Sequence, residues 1–112
     1  MSENVSGSLK RIEAFIKVEK TQAVMNALES KGIQATFFES KGIGKGEKYR
    51  LSYGRGAGQT TEMSYSERNT VVIIAENSKV KEIVDTIKAT ATTGTSGGGI
   101  IVISPAEEII AL

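Results

Sequence analysis

The chain contains no histidine, no cysteine and no tryptophan, and Asp85 is its single aspartate. These absences exclude Ser–His–Asp and Cys–His nucleophilic catalysis, and they exclude zinc sites built from histidine and cysteine. Twelve of the 13 acidic residues are glutamates, and two of them could form an acid–base pair. A small glutamate-dependent enzyme therefore stays open as an alternative, but the sequence favours a binding or signalling role and predicts no enzyme activity.

Strong charge of one sign and long apolar runs are also missing. The 14 basic and 13 acidic residues give a formal net charge of +1, which argues against general nucleic-acid binding. No apolar run approaches the roughly 20 residues of a membrane span, so membrane insertion is not expected. The polar residues 1–8 predict a flexible tail without a secretory signal, and the absence of cysteine fits a cytoplasmic protein. Residues 9–112 fit a single domain.

Glycine is concentrated in two segments, which hold ten of its 12 occurrences. Six glycines lie from Gly42 to Gly58, and four lie from Gly94 to Gly99. Glycine permits positive φ angles and lets a ligand approach the main chain closely. The second segment leads directly into an apolar run at 100–103, so its backbone N–H groups could cradle phosphate oxygens. A plain flexible connection between a helix and a strand is the alternative interpretation.

Hydrophobic periodicity predicts four strands and two long helices. The strands are predicted at 9–17, 33–41, 70–75 and 100–103, and the helices at 21–31 and from about 77 to 91. Gly32 is predicted to end the first helix, and Asn77 or Ser78 is predicted to cap the second. Ser104 and Glu107, with the proline between them, carry helix-start signals that predict a short C-terminal helix.

The glycine-rich segment 42–68 is predicted as a long loop, whose ends could extend the flanking strands as a hairpin. The order of elements predicts an α+β fold, a ferredoxin-like βαββαβ sandwich with this loop between strands 2 and 3 and with the short C-terminal helix. Two helices cover one face of an antiparallel four-stranded sheet. The opposite face is partly apolar through Phe15 and one side of the third strand, so oligomerisation is expected.

Four segments occur in an order and at a spacing that resemble one known family. They are Leu9–Lys17 in the first strand, Ala27–Ile33 at the end of the first helix, Ser40–Lys45 at the start of the long loop, and Thr93–Val102 around the second glycine segment. Together they resemble the PII signal-transduction proteins over about residues 9–112. The resemblance implies a homotrimer with adenine nucleotides between subunits. It also implies a T-loop, at about 45–66, that contacts an ammonium transporter or a nitrogen-metabolism enzyme.

The resemblance also implies, position by position, which residues line the nucleotide. These are Gly42, Ile43, Gly44 and Lys45 at the T-loop base, Arg68 at the other end of that loop, Thr93, Gly94, Thr95, Ser96, Gly97, Gly98 and Gly99 in the B-loop (93–99), and Ala35 and Phe37 of the neighbouring chain. The implied ligand is ATP, ADP or AMP as an effector, and a role for Mg is left open. No catalytic or metal-ligating residue is implied.

The chain departs from the family pattern at several phosphate-binding positions. Ile100 stands where the family usually has a lysine, and Glu107 and Glu108 follow the last strand where the family usually has basic residues. Each lost charge-assisted hydrogen bond is worth roughly 1.5–3 kcal/mol, so triphosphate binding would weaken on the order of a hundredfold. We therefore expect altered nucleotide selectivity. The alternative is a PII-like trimeric interaction module with altered (AMP, ADP or another small ligand) or lost nucleotide binding.

Overall fold

The computed structural model describes residues 5–43, 49–53, 61–92 and 99–112. Its elements are β1 (Val5–Ile16), α1 (Thr21–Ser30), β2 (Thr36–Gly42), β3 (Tyr49–Tyr53), β4 (Thr61–Glu76), α2 (Val80–Ala91) and β5 (Gly99–Ile109). A 3-10 turn precedes each helix, at Val18–Lys20 and at Asn77–Lys79. Each helix therefore begins almost directly after the strand that leads into it.

The four long strands form an antiparallel sheet in the order β2-β4-β1-β5, and β3 pairs with β4 beyond the end of β2. β4 lies between β1 and β2, and β1 lies between β4 and β5, so each helix connection crosses over one strand. Interlocking crossovers of this kind define the split βαβ arrangement. The predicted α+β, ferredoxin-like fold is confirmed.

One face of the sheet is covered by the two helices. Ile12, Ala14 and Ile16 on β1 are at most 2% exposed and belong to one buried cluster with residues of both helices. They share a face because alternate residues of a strand point to the same side. The other large members of this cluster are Val24 and Leu28 on α1, Val71 and Ile73 on β4, and Ile83 and Ile87 on α2.

The other face of the same strands is called the open face below. Register places on it the residues that alternate with the buried ones. They are Arg11, Glu13, Phe15, Thr36, Phe38, Ser40, Arg68, Thr70, Val72, Ile74, Ile100, Val102 and Ser104. Within the described elements, both helices pack on the opposite side. Ile100, Phe38 and Val102 are 63%, 50% and 43% exposed. The predicted apolar face is therefore present, and it extends to β2 and β5.

The close approach of β5 to β1 requires glycine at position 99. Gly99 has φ +124° and pairs with Ile16. A Cβ atom at this position would lie 1.9 Å from the carbonyl oxygen of Phe15. Only a residue without a side chain fits here, because both the φ angle and the contact exclude a Cβ.

The predicted C-terminal helix is wrong. Residues 99–109 form the single strand β5, which pairs with β1 from Gly99 at one end to Ile109 at the other. β1 extends far enough to supply these partners, and tertiary pairing overrides the local helix signals around Ser104. Pro105 is tolerated because β5 is an edge strand, where one side of the backbone needs no partner.

The predicted end of α1 is confirmed, whereas the predicted cap at the start of α2 is not. Gly32 ends α1 as predicted, with φ +72° and an N–H that donates to the carbonyl of Glu29 over 2.9 Å. The predicted cap at Asn77 or Ser78 is wrong, because both residues lie in the 3-10 turn and no side chain caps that turn or α2.

Some residues that were predicted as tail (5–8) or as loop (within 42–68) belong to paired strands. β1 begins at Val5, so residues 5–8 are strand, with a register shift between Ser6 and Leu9. The segment 42–68 contains β3 and the first part of β4, paired from Tyr49 with Tyr65 to Tyr53 with Thr61. Tyrosine and threonine favour strands, which fits the suggested hairpin rather than an unpaired loop.

Candidate functional site

The two predicted loops meet the sheet at the same end. Ile16, the last residue of β1, pairs with Asn69 on β4 and with Gly99 on β5. Asn69 in turn pairs with Glu39 on β2. The four strands therefore form one row here, and the segment 93–98 joins it at Gly99.

Four of the predicted site residues lie at this end. Gly99 is in the row itself, and Arg68 is the next residue of β4 beyond it. Gly42 pairs with Ser66 and lies three residues beyond Glu39 on β2, a distance of about 10 Å along a strand. Ile43 follows Gly42 and is 81% exposed. The structure therefore brings Gly42, Ile43, Arg68 and Gly99 to one end of the sheet.

Hydrogen bonds fix the base of the T-loop. Thr70 Oγ1 donates to Ser40 Oγ over 2.9 Å, and Ser40 Oγ donates to the carbonyl oxygen of Arg68 over 3.1 Å. Thr70 is only 1% exposed. The Arg68 guanidinium donates from Nη1 to the carbonyl oxygen of Glu67 over 2.9 Å. β2 and β4 are thus tied together by side chains as well as by their ladder, which holds the two ends of the loop at a set separation.

Asn69 is a polar residue at this end that the sequence reasoning missed. Its Nδ2 donates to Thr21 Oγ1, at the start of α1, over 2.7 Å. Its Oδ1 is buried and has no hydrogen-bond partner within the part of the chain that the structure describes. Strand alternation could have revealed its burial, because Asn69 lies two and four residues before the buried Val71 and Ile73 and so faces the same side of the sheet.

The residues predicted to act from a neighbouring chain lie elsewhere on β2. Ala35 comes just before the strand and packs partly buried against the core, and Phe37 near the start of the strand is 50% exposed. Within one chain they lie toward the opposite end of β2 from Gly42. Their contact with a nucleotide stays a prediction.

The remaining predicted residues lie outside the described part of the chain. They are Gly44, Lys45, Thr93, Gly94, Thr95, Ser96, Gly97 and Gly98. Their contribution to a ligand site therefore stays a prediction as well.

The described residues at this end provide backbone groups, hydroxyls, the Asn69 amide, the cations of Arg68 and Lys41, and the carboxylates of Glu39 and Glu67. In the described ranges, no group of three or more acidic residues is arranged to hold a metal ion. None of the helices in those ranges is long and apolar enough to cross a membrane. The chemistry that these groups can perform is recognition of an anion or a polar ligand by hydrogen bonds and charge.

The model of one protein family, described as Nitrogen regulatory protein P-II, matches residues 9–112. The chain belongs to this family. The family resemblance inferred from the four sequence segments is confirmed.

Curated relatives agree with this membership over nearly their full length. A Nitrogen regulatory protein P-II from Microchaete diplosiphon is 36% identical over 103 residues, covering 91% of this chain and 89% of the relative. One from Azospirillum brasilense is 33% identical with the same coverage. The nifHD region GlnB-like protein 1 of Methanothermococcus thermolithotrophicus, named for nitrogen fixation, is 33% identical over 102 residues, covering 89% of this chain and 90% of that protein.

A solved structure shows the same fold at lower sequence identity. The crystal structure of Arabidopsis thaliana PII bound to citrate superposes with a TM-score of 0.73 at 21% identity. The likeness covers 95% of this chain and 82% of the plant chain. It extends the agreement in fold to the whole arrangement of sheet and helices.

Proposed function

We propose that this member of the P-II family is a regulatory protein that binds an adenine nucleotide and controls a transporter or a metabolic enzyme in nitrogen regulation. The family match over residues 9–112 is the observation that carries this proposal. The effector is ATP, ADP or AMP. The protein acts in the cytoplasm by binding rather than by catalysis.

The sheet end described above supports the position of the nucleotide. Gly42 and Arg68 flank the T-loop, and Gly99 ends the B-loop, so both glycine segments adjoin the same end of the sheet. The Arg68 guanidinium supplies a charged donor for a phosphate group. In this proposal Gly44, Lys45 and residues 93–98 complete the phosphate contacts with backbone and side-chain donors.

The open face supports an assembly of identical subunits. Ile100, Phe38 and Val102 expose large apolar surface on it, and such surface marks a protein interface. We propose a homotrimer in which Ala35 and Phe37 of one subunit approach the nucleotide of the next. The T-loop (about 45–66) then projects from the assembly to contact the regulated partner.

A second candidate function is favoured by the residues along β5. Ile100 occupies the place of the usual phosphate-binding lysine, and Glu107 and Glu108 lie exposed near the end of the strand. Glu108 pairs with Ser6, at the end of β1 away from Gly99, so these positions bear on phosphate binding through the basic groups that they lack. The second candidate is therefore a trimeric interaction module that binds another small ligand, or none, and acts through its partner contacts alone.

Calorimetric titration of ATP, ADP and AMP separates the two candidates. We expect the wild-type protein to bind at least one of the three. Arg68→Ala should weaken that binding about tenfold or more, because a charge-assisted hydrogen bond is worth roughly 1.5–3 kcal/mol. Lys79→Ala removes the same charge from the 3-10 turn before α2, near the other end of the sheet, and should leave binding unchanged.

Absence of heat with all three nucleotides at millimolar concentration would contradict the nucleotide proposal and favour the interaction module. An equal loss of affinity in Arg68→Ala and Lys79→Ala would contradict the proposed position of the site, because it would reflect net charge alone.

A further inference from the structure

Two charged residues, Arg11 and Glu13, lie on the open face of β1. Arg11 Nε donates a hydrogen bond of 3.2 Å to Glu13 Oε1, and the two side chains are 43% and 29% exposed. They alternate with Ile12 and Ala14, which are fully buried under the helices. β1 is one of the two inner strands of the sheet, so the pair lies near the centre of the open face.

Three of the four cross-strand neighbours of this pair are apolar. Arg11 lies between Ile74 on β4 and Ser104 on β5, and Glu13 lies between Val72 on β4 and Val102 on β5. Any protein that covers this face also takes both charges out of water. Burial of a charge is costly unless it is paired and its hydrogen bonds are satisfied.

The contact within the chain satisfies only part of the pair. A guanidinium has five N–H donors and a carboxylate has two acceptor oxygens, whereas Arg11 and Glu13 share one N–H and one oxygen. Neither side chain has another hydrogen-bond or ionic partner among the residues that the structure describes. Donors on Arg11 and an oxygen on Glu13 are therefore available to groups of another chain.

We propose that the Arg11 guanidinium of each subunit bonds the Glu13 carboxylate of the next subunit across the open face. This inference rests on the proposed homotrimer. Under threefold symmetry the same contact repeats head to tail, so three contacts close a ring with equal numbers of positive and negative charges. Each copy of the open face supplies both the positive and the negative group that the contact needs. We therefore take further copies of this chain as its occupant.

The ring makes assembly selective as well as favourable. A subunit that lacks one of the two charges leaves a desolvated partner unpaired in the ring, and like charges placed opposite each other repel. Discrimination of this kind depends on the penalty against wrong partners. The pair therefore favours copies of this chain over related subunits that lack it.

Charge reversal tests the ring when two single variants are mixed. Arg11→Glu and Glu13→Arg each place like charges at every proposed contact, and each should raise the concentration at which half the trimer dissociates by at least about tenfold. An equimolar mixture of the two should assemble at a lower concentration than either variant alone. Neither variant contains an Arg–Glu pair of its own, so recovery on mixing requires pairing between chains. Sedimentation velocity over a protein dilution series measures these concentrations.

Lys81→Glu and Asp85→Lys supply the matched control, because they reverse an exposed Lys–Asp pair on α2. Alone or mixed, they should leave assembly unchanged. Circular dichroism of each variant checks that the chain is folded. A wild-type protein that sediments as a monomer would overturn the homotrimer and the ring together. A trimeric wild type whose variants assemble unchanged, or whose mixture gains nothing over the single variants, would overturn the ring alone.

Discussion

The two faces of the sheet are made by the same strands but are completed differently. On the helix side, Ile12 and Val71 are fully buried. On the open face, Ile100 and Phe38 leave 63% and 50% of their surface exposed. The helices of the chain cover the inner strands on the first face, and the second remains apolar without a cover among the described elements.

This difference assigns the two faces different roles: the helix side stabilises the single chain, and the open face contributes to assembly. Burial of apolar surface is the main favourable contribution to folding, and the described core is concentrated on the helix side. The open face offers the same kind of surface, but a gain from it depends on a second molecule and hence on protein concentration. Substitutions on the two faces should therefore respond differently to dilution.

The largest expected effect comes from comparing two variants, in which an isoleucine is replaced by alanine on one face or on the other. Ile12→Ala should lower the free energy of unfolding by about 2–5 kcal/mol, because it leaves a cavity in a closed core. Ile100→Ala removes the same atoms from an exposed site and should have a small effect in dilute protein, with a loss that grows at high concentration. Urea unfolding at several protein concentrations measures both. Equal, concentration-independent losses would show that the faces contribute alike.

A smaller effect is expected at Gly99, where the first residue of β5 lies in close backbone contact with β1. Gly99→Ala forces a Cβ against the Phe15 carbonyl at φ +124° and should cost about 1–3 kcal/mol from backbone strain. Gly42→Ala is the control, because a Cβ there meets nothing within 4 Å. Thermal unfolding compares the two variants, and similar losses for both would contradict the strained contact at position 99.

The smallest effect is expected at the exposed pair on α2. The hydrogen bond from Lys81 Nζ to Asp85 Oδ2, 2.7 Å long, lowers the pKa of Asp85 below its ordinary value of 3.8, with desolvation opposing it. The stabilisation is therefore present above that pH and is lost as the pH falls through the lowered pKa. Lys81→Ala should raise the pKa of Asp85 toward 3.8 in an NMR titration of its carboxyl group. An unchanged pKa would show that the pair does not form in solution.

Local patterns predicted the parts of the fold that depend on neighbouring residues. Periodicity in four strands and two helices, including the alternation in β1 and the apolar spacing of α2, predicted the order of these elements and the ferredoxin-like class. The C-terminal helix failed because its start signals are local, whereas the pairing of β5 with β1 joins residues nearly 100 positions apart. The extension of β1 to Val5 could not be predicted for the same reason, since its partner Ile109 lies at the far end of the chain.

The candidate site divides in a similar way. Glycine clustering pointed to two segments, and the family resemblance implied Gly42 and Gly99 within them as site residues. The fold brings both to one end of the sheet. Asn69 was missed because it fell between the predicted loop at 42–68 and the predicted strand at 70–75. Extending the alternation of that strand by one residue puts Asn69 on the buried side, and its pairing with Ile16 agrees with this.

Gly99 has a consequence for interpreting any variant of the B-loop. The close approach of the β5 main chain to the Phe15 carbonyl already accounts for a glycine there, independently of any ligand in the loop. A loss of ligand affinity in a Gly99 variant would therefore be explained by displacement of the edge strand β5, without a missing phosphate contact. Residues whose side chains face open space are the informative places to probe recognition.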